Sequence, residues 1–509
     1  MGTIMNTRKG SVRDMRANET ATRGLQIVKT QRMPRRMHGQ LVVVLTTALG
    51  AAMLSGCADV KMTEYKQPET PMKTSWSQSA SQSAAVEPAE TIRPDWWREF
   101  RDPYLDALVT KAIANNIDVK ILAARTRVAS AQIGEARAGA LPVIDAGAGA
   151  SFEKSTGQKL SKTFNAGTQI NWELDIWGKV EKGVQAQTAE FNATEADWRA
   201  GYLNLVSGVS TSYFQILQLD EQIEQQRLAL DKNRQILGIY DAMHKNGLLP
   251  NTRVLQQRAE INRLNNDLLE LNRARDLTGN ALATLLGVPA GDFKVPAGRL
   301  QQKVHLPVVP NGLPSELLKR RPDIVAAEYR VLSSHNLAGQ AKLAQLPSVS
   351  LTGRGGTSSF ALTDLLKTFT LGFLPSINFP VLDPSVKARV RTSEAETKVA
   401  EEEYRRTVMG AFEEVENALV NLDAHKRQRE ELQQQVEHLN VVAAQIDGQL
   451  KEGVVSQLEV FETQRSLLGA KLALLANHQQ ILSDTVTLYK ALGGGWPTIA
   501  VGAVGKADQ

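Results

Sequence analysis

The sequence predicts a mixed, mostly α-helical fold in which one unit of helices, two strands and a long coiled-coil hairpin is built twice. Three observations carry that prediction. The chain repeats itself at an interval of about 205 residues, as Arg125 and Arg330 illustrate. Each copy contains stretches in which apolar residues fall at every second position. Each copy then runs into apolar residues spaced by sevens over a length no compact domain needs.

The duplication is legible pair by pair. Asp118, Arg125, Gly134, Ala136, Leu141 and Pro142 reappear as Asp323, Arg330, Gly339, Ala341, Leu346 and Pro347. Ile170-Asn171-Trp172 returns as Ile377-Asn378-Phe379, and Lys245, Gly247, Val254 and Leu286-Gly287 return as Lys451, Gly453, Val460 and Leu492-Gly493. The interval drifts by only a residue or two, so one supersecondary unit was copied whole.

Residues 1–56 read as a leader. Arg35 and Arg36 precede an apolar run from Leu41 to Leu54, which is the layout of a secretory signal and not of a membrane span. Translation starts at Met1, Met33 or Met37. The run ends in Leu54-Ser55-Gly56-Cys57, which resembles a bacterial lipobox, and that resemblance implies an acylated Cys57 as the mature N-terminus. Ala58 at the next position implies an outer-membrane address. Cys57 is the single cysteine, so an intramolecular disulfide and a cysteine metal cluster are both excluded. Charge follows the same division. Residues 1–57 hold nine Lys/Arg and two Asp/Glu, a net of +7, so the chain's +5 leaves −2 for everything after them. A nucleic-acid partner is therefore not indicated.

Residues 57–92, rich in Ser, Gln, Glu, Thr and Pro, read as an extended tether, with structure beginning near Pro94-Asp95-Trp96-Trp97. The first repeat spans 93–289. A helical segment over about 103–139 is stopped by Leu141-Pro142. Strands follow at about 142–153 and 163–174, of the roughly ten-residue length that crosses a bilayer when tilted. In the first of them Ile144, Ala146, Ala148, Ala150 and Phe152 alternate with Asp145, Gly147, Gly149, Ser151 and Glu153. Long helices are expected over about 178–246 and 251–286. Tyr202, Val209, Ile216, Ile223, Leu230 and Leu237 mark the first, Val254, Ile261, Leu268 and Leu282 the second, and Arg275 interrupts the latter seam. The first would extend roughly 100 Å at about 1.5 Å per residue. Residues 290–313 link the repeats. The second repeat, 314–493, has a helical segment over about 314–344, strands at about 347–358 and 368–379, and helices over about 385–452 and 456–491. A tail covers 494–509.

Four strands per chain cannot close a barrel, and lipid tolerates no open sheet edge, so several chains must pool their strands. The sequence closely resembles the TolC-type outer-membrane factors, in particular the lipoprotein branch serving resistance–nodulation–division efflux systems. Its markers are Trp96-Trp97-Arg98-Glu99-Phe100 with Asp102-Pro103, Asn115-Asn116-Ile117-Asp118, Trp172 through Gly178, Leu317 through Ile324, and Leu488 through Trp496. The resemblance implies a homotrimer whose twelve-stranded β-barrel, set in outer-membrane lipid, continues into a twelve-helix periplasmic α-barrel. It also implies a channel that docks on a periplasmic adaptor protein and an inner-membrane efflux pump, with no cofactor and no enzymatic activity.

The residues fit a conduit better than an enzyme. None of the seven histidines has metal-site spacing, and there is no P-loop. Glu401-Glu402-Glu403 and Glu413-Glu414 read as solvated helix faces. Candidate site residues gather at the two helix reversals. Glu459 and Glu462 share a helix face and, in a ring of chains, would form charge rings that select cations at a constriction; otherwise they are surface groups favoured by the helix dipole. Family positions matching them line a closed entrance. Thr252 matches a gate threonine, whereas Arg253 stands where the family has an acid. Gly247, Leu248 and Leu249, with Gly453, Val454 and Val455, are the expected adaptor contacts, because exposed aliphatics at a tip need a partner. The competing reading is a periplasmic coiled-coil adaptor or scaffold lipoprotein, which would share the heptads but lack duplicated strand pairs.

Overall fold

A computed structural model describes residues 62–71, 73, 75–77, 92–309, 317–380, 383–451 and 454–495. Cys57, Gly453, the leader and the C-terminal tail from residue 496 lie outside the described residues. After a short 3-10 turn at Trp96–Phe100 come helices α1 (Pro103–Asn115) and α2 (Ile117–Ala138), strands β1 (Val143–Glu153) and β2 (Ser161–Leu174), and long helices α3 (Lys179–Lys245) and α4 (Asn251–Leu285). A one-turn α5 (Leu300–Lys303) lies in the linker. The second repeat gives α6 (Leu317–Arg320), α7 (Pro322–Leu343), β3 (Ser348–Ser359), β4 (Thr370–Asn378), α8 (Pro384–Lys451) and α9 (Gln457–Ala491). The fold is mostly helical with one small antiparallel sheet.

The two pre-strand helical segments are each broken, where the sequence reads as continuous. Asn116 leaves the helical region, its Nδ2 donates to the Leu285 carbonyl, and its Oδ1 accepts from Val119 N to start α2. At the matching place Arg321 is extended ahead of Pro322, as the residue before a proline must be. Both breaks turn the chain around a glycine. A Cβ on Gly287 would lie 2.5 Å from the Asn115 carbonyl oxygen, and one on Gly493 would lie 3.1 Å from the Arg320 carbonyl carbon. The duplication has copied this contact between helix start and helix end.

The main core sits midway along the long helices. Trp96 stacks on Tyr489 with ring centroids 4.9 Å apart, and Tyr489 donates to Glu99 at 2.5 Å. Asp102 caps α1 and accepts from Tyr213 at 2.7 Å. Burial and this bond push the Tyr213 phenol far up. Around them Tyr202, Val209, Ile216, Val408, Val415 and Leu482 are buried. Arg321 is buried as well, bonded to Asp323, Glu414 and the Ala491 carbonyl. Glu414 is thus a structural anchor and not merely a solvated carboxylate.

Order begins earlier than Pro94. In the tether, Trp76 is buried against Phe412, Lys73 reaches Glu416 at 2.6 Å, Gln67 donates to Tyr404, and Tyr65 meets the His335 ring edge-on. Two aromatics in an otherwise polar segment are enough to lay it along α7 and α8.

The sheet runs β1-β2-β3-β4, all antiparallel, so its centre pairs β2 of the first repeat with β3 of the second. The register sorts side chains cleanly. Ile144 opposes Ile170, Ala148 opposes Ala166, Trp172 opposes Leu351, and Gly353 opposes Phe373. With Phe152, Phe164, Leu371 and Ile377 these make one apolar face. Asp145, Asn165, Gln169, Asn171, Thr352 and Arg354 occupy the other, where Gln169 donates to Asn171 and Thr352 to Asn171. Gly167 and Gly356 face each other at the centre, with a Cβ on either 2.9 Å from backbone oxygen opposite.

Candidate functional site

The chain's working surface has two ends, and the segment Trp172 to Gly178 builds the upper one. Trp172 Nε1 donates to the Ala140 carbonyl at 2.8 Å and Trp177 Nε1 to the Pro347 carbonyl at 2.7 Å. Each indole therefore clamps one helix-to-strand turn, the first in repeat one and the second in repeat two. Glu173 pairs with Lys179, Asp175 accepts from Glu181 N, and Gly178 takes the left-handed conformation that starts α3. Phe379 is exposed at the same end of β4. Indoles at the base of an apolar sheet face are what a membrane interface selects.

The lower end holds the two helix reversals. Helices α3 and α8 leave the same end of the sheet with 67 and 68 residues, about 100 Å each, so the reversals stand at one level. In the first, Gly247 has φ of 71°, its N–H donates to His244 O, and Leu248 N–H donates to Met243 O, both at 2.9 Å. That pair of bonds satisfies the last carbonyls of α3 and leaves Leu248 71% exposed, with Leu249 half-buried. In the second, Val454 N–H donates to Gln449 O at 3.0 Å, Val454 is 70% exposed and Val455 is half-buried. Aliphatic tips are thus presented by both reversals.

Glu459 and Glu462 lie exposed in the first turns of α9, with Ser456 Oγ donating to Glu459 at 3.2 Å. Thr252 is exposed at the start of α4, and Arg253 is half-buried, donating to Gln256 at 3.4 Å. Within one chain the two glutamates and Arg253 belong to different hairpins, and among the described residues no ion pair joins them. Arg275, by contrast, is a packing residue. It donates to Asp220 at 2.5 Å and to the Val295 carbonyl at 2.8 Å, tying α3, α4 and the linker together. Its break in the heptad is an interior ion pair.

Farther up the helices from the reversals lies a charged cluster that the heptads alone do not reveal. Arg263 bonds Glu260 at 2.6 Å and Asp267 at 2.8 Å, and Arg465 of α9 approaches Glu260 at 3.5 Å. Hydrogen bonding from Arg263 holds the Glu260 carboxyl below its usual range. The signal was present as the i, i+3 and i, i+4 spacing of Glu260, Arg263 and Asp267. Asp447 pairs with Lys232, so α3 and α8 are pinned at the same depth. Among the described residues no group of three His, Cys, Asp or Glu side chains could hold a metal ion, and no helix is long and apolar enough to cross a membrane.

The chain matches a family described as outer membrane efflux protein over residues 108–288 and 313–494. The pyoverdine export outer membrane protein OpmQ of Pseudomonas putida is 30% identical over 430 residues, 82% of this chain and 91% of OpmQ. The probable outer membrane lipoprotein SilC of Salmonella typhimurium is 29% identical over 461 residues, 87% of this chain and 97% of SilC. Among solved structures, the open state of the Neisseria gonorrhoeae MtrE outer membrane channel superposes with a TM-score of 0.76 at 27% identity, covering 86% of this chain and 98% of MtrE.

Proposed function

The chain belongs to the outer membrane efflux protein family, and from that premise we propose the assembly in which it acts. It is an outer-membrane efflux channel, a component of efflux pumps. Three copies pool four strands each into a twelve-stranded barrel, and the long helices continue it as a twelve-helix tube through the periplasm. The observation that carries this reading is the four-stranded sheet with one apolar face and two unpaired edges, β1 and β4. Such a sheet is stable in lipid only when its edges meet neighbours.

The channel conducts passively and performs no bond chemistry of its own. A periplasmic adaptor protein grips the tips at Gly247, Leu248, Leu249, Gly453, Val454 and Val455, and hands over cargo chosen by an inner-membrane pump. Glu459 and Glu462 form rings of like charge at the periplasmic mouth, with Thr252 and Arg253 on the adjoining hairpin completing the gate. Cys57 carries the lipid. Met62 lies against Gly339 and Lys342 beside Glu394, close under the sheet. The test is reconstitution of the purified protein in planar bilayers, where stepwise conductance is expected. Protein that assembles but gives no conductance at any voltage removes the channel reading and leaves a scaffold.

A further inference from the structure

The apolar face of the sheet carries one charged side chain among the described strand residues, Lys162. It stands directly across from Phe152 and beside Phe164, whose rings meet edge-on at 6.1 Å. Asp145, Glu153, Glu173 and Arg354, the other strand charges, all fall on the opposite face. Lys162 is exposed and has no ion-pair partner among the described residues. Two further exposed lysines, Lys154 and Lys159, occupy the turn of the same hairpin. The second hairpin differs, because its Lys367 is already paired with Asp364.

Depth decides what Lys162 meets. From Lys162 to Trp172 are ten residues of one strand, about 34 Å at ~3.4 Å per residue. With a strand tilt of ~40°, that is about 26 Å along the membrane normal, the height of an outer-membrane apolar band. Trp172 marks the periplasmic interface, so Lys162 marks the outer one, with its stem along the aromatic rings and its ammonium at headgroup level.

We propose that Lys162, with Lys154 and Lys159, binds the phosphate of an outer-leaflet lipid whose acyl chains lie on the apolar face below it. This rests on the barrel reading of the sheet. A cation seated directly over an apolar surface fits a phosphate attached to hydrocarbon. Free phosphate would need a polar cradle, and Phe152 and Phe164 do not make one. The first hairpin of each copy supplies one such site on the outer rim, so the lipid shell is held at fixed points around the channel.

The test is native mass spectrometry of the full-length protein in detergent, titrated with bisphosphorylated lipid A, with dephosphorylated lipid A and with inorganic phosphate. The wild type is expected to bind the bisphosphorylated lipid about tenfold more tightly than the dephosphorylated one. Millimolar inorganic phosphate should not displace it. K162Q should lose most of that preference, the triple variant K154Q/K159Q/K162Q should abolish it, and K162R should keep it. Equal binding of the two lipids by the wild type, unchanged preference in K162Q, or displacement by free phosphate overturns the proposal. Conductance and oligomeric mass of the same variants are measured alongside. If those are intact while the lipid preference is absent, the lipid site fails and the channel reading stands.

Discussion

Asp145 and Arg354 stand on one cross-strand row of the sheet, on its polar face, with Gln169 between them. Asp145 opposes Gln169, Gln169 opposes Arg354, and the row ends at Gly372. Two strand spacings separate the charges by about 10 Å, too far for an ion pair and close enough for their fields to overlap. In a closed barrel the polar face lines the bore, so the row becomes a belt of alternating charge.

That belt should tune ion selectivity. Arg354→Gln is expected to shift the reversal potential under a salt gradient toward cation preference, and Asp145→Asn toward anion preference, with thermal stability unchanged. Single-channel recordings at low salt give the comparison, and high salt should shrink both shifts.

The helix-end glycines should rank by what surrounds them. Gly287→Ala and Gly493→Ala each combine a left-handed φ with backbone in the way of the new Cβ, and should cost about 2–3 kcal/mol apiece. Gly247→Ala meets open space and should cost only ~1 kcal/mol, from the left-handed conformation alone. Thermal melting in detergent, followed by circular dichroism, reads the order.

Arginines 253 and 275 should separate by kind of defect. Arg275→Ala leaves the Asp220 carboxylate, whose side chain is 7% exposed, without its countercharge and with the Gly298 N–H still donating to it, and should lower stability by about 3 kcal/mol. Arg253→Glu should leave melting nearly unchanged and alter closure at the mouth. Glu459→Gln with Glu462→Gln should reduce cation preference and block by multivalent cations. If selectivity and block stay at wild-type values, the two glutamates belong to the outer surface.

Acid should weaken the α8–α9 packing through His478. Burial, reinforced by Arg429, holds its imidazole below the ordinary histidine value. The unfolded chain therefore takes up the proton first as pH falls. The stability contribution is full above about pH 6.5 and is lost progressively as pH drops below it toward the depressed folded-state value. His478→Gln should flatten the acid side of the melting profile.

Much of this molecule is legible in its sequence because its periodicities are long. The sevens from Tyr202 to Leu230 are buried positions, and the alternation from Ile144 to Phe152 is one face of β1. Other features rest on contacts between residues far apart in the chain. Trp172 and Trp177 are visible as a motif, yet their bonds to Ala140 and Pro347 exist only once both repeats are folded. Pro322 marks the break at Arg321 locally, but the close approach of Gly287 to the break at Asn116, and of Gly493 to Arg320, is a long-range contact that no local helix propensity encodes. Trp76 was hidden in a polar segment whose composition outweighs one aromatic residue. In the proposed assembly, which residues at the reversals face the bore is set by neighbouring copies, and a single chain's heptads carry only the contacts within that chain.

The central claim is that β4 of one chain pairs with β1 of the next until three chains close a barrel. Paired cysteines on the two edges test it most directly. One is placed among Gly147, Ala148 and Gly149, the other among Leu371, Gly372 and Phe373, in protein oxidised within its native outer membrane. At least one pairing should give covalent dimers and trimers and nothing larger, with the trimer alone surviving as the closed, fully linked species. Chains that stay monomeric in every pairing, or ladders that run past three, would contradict the assembly.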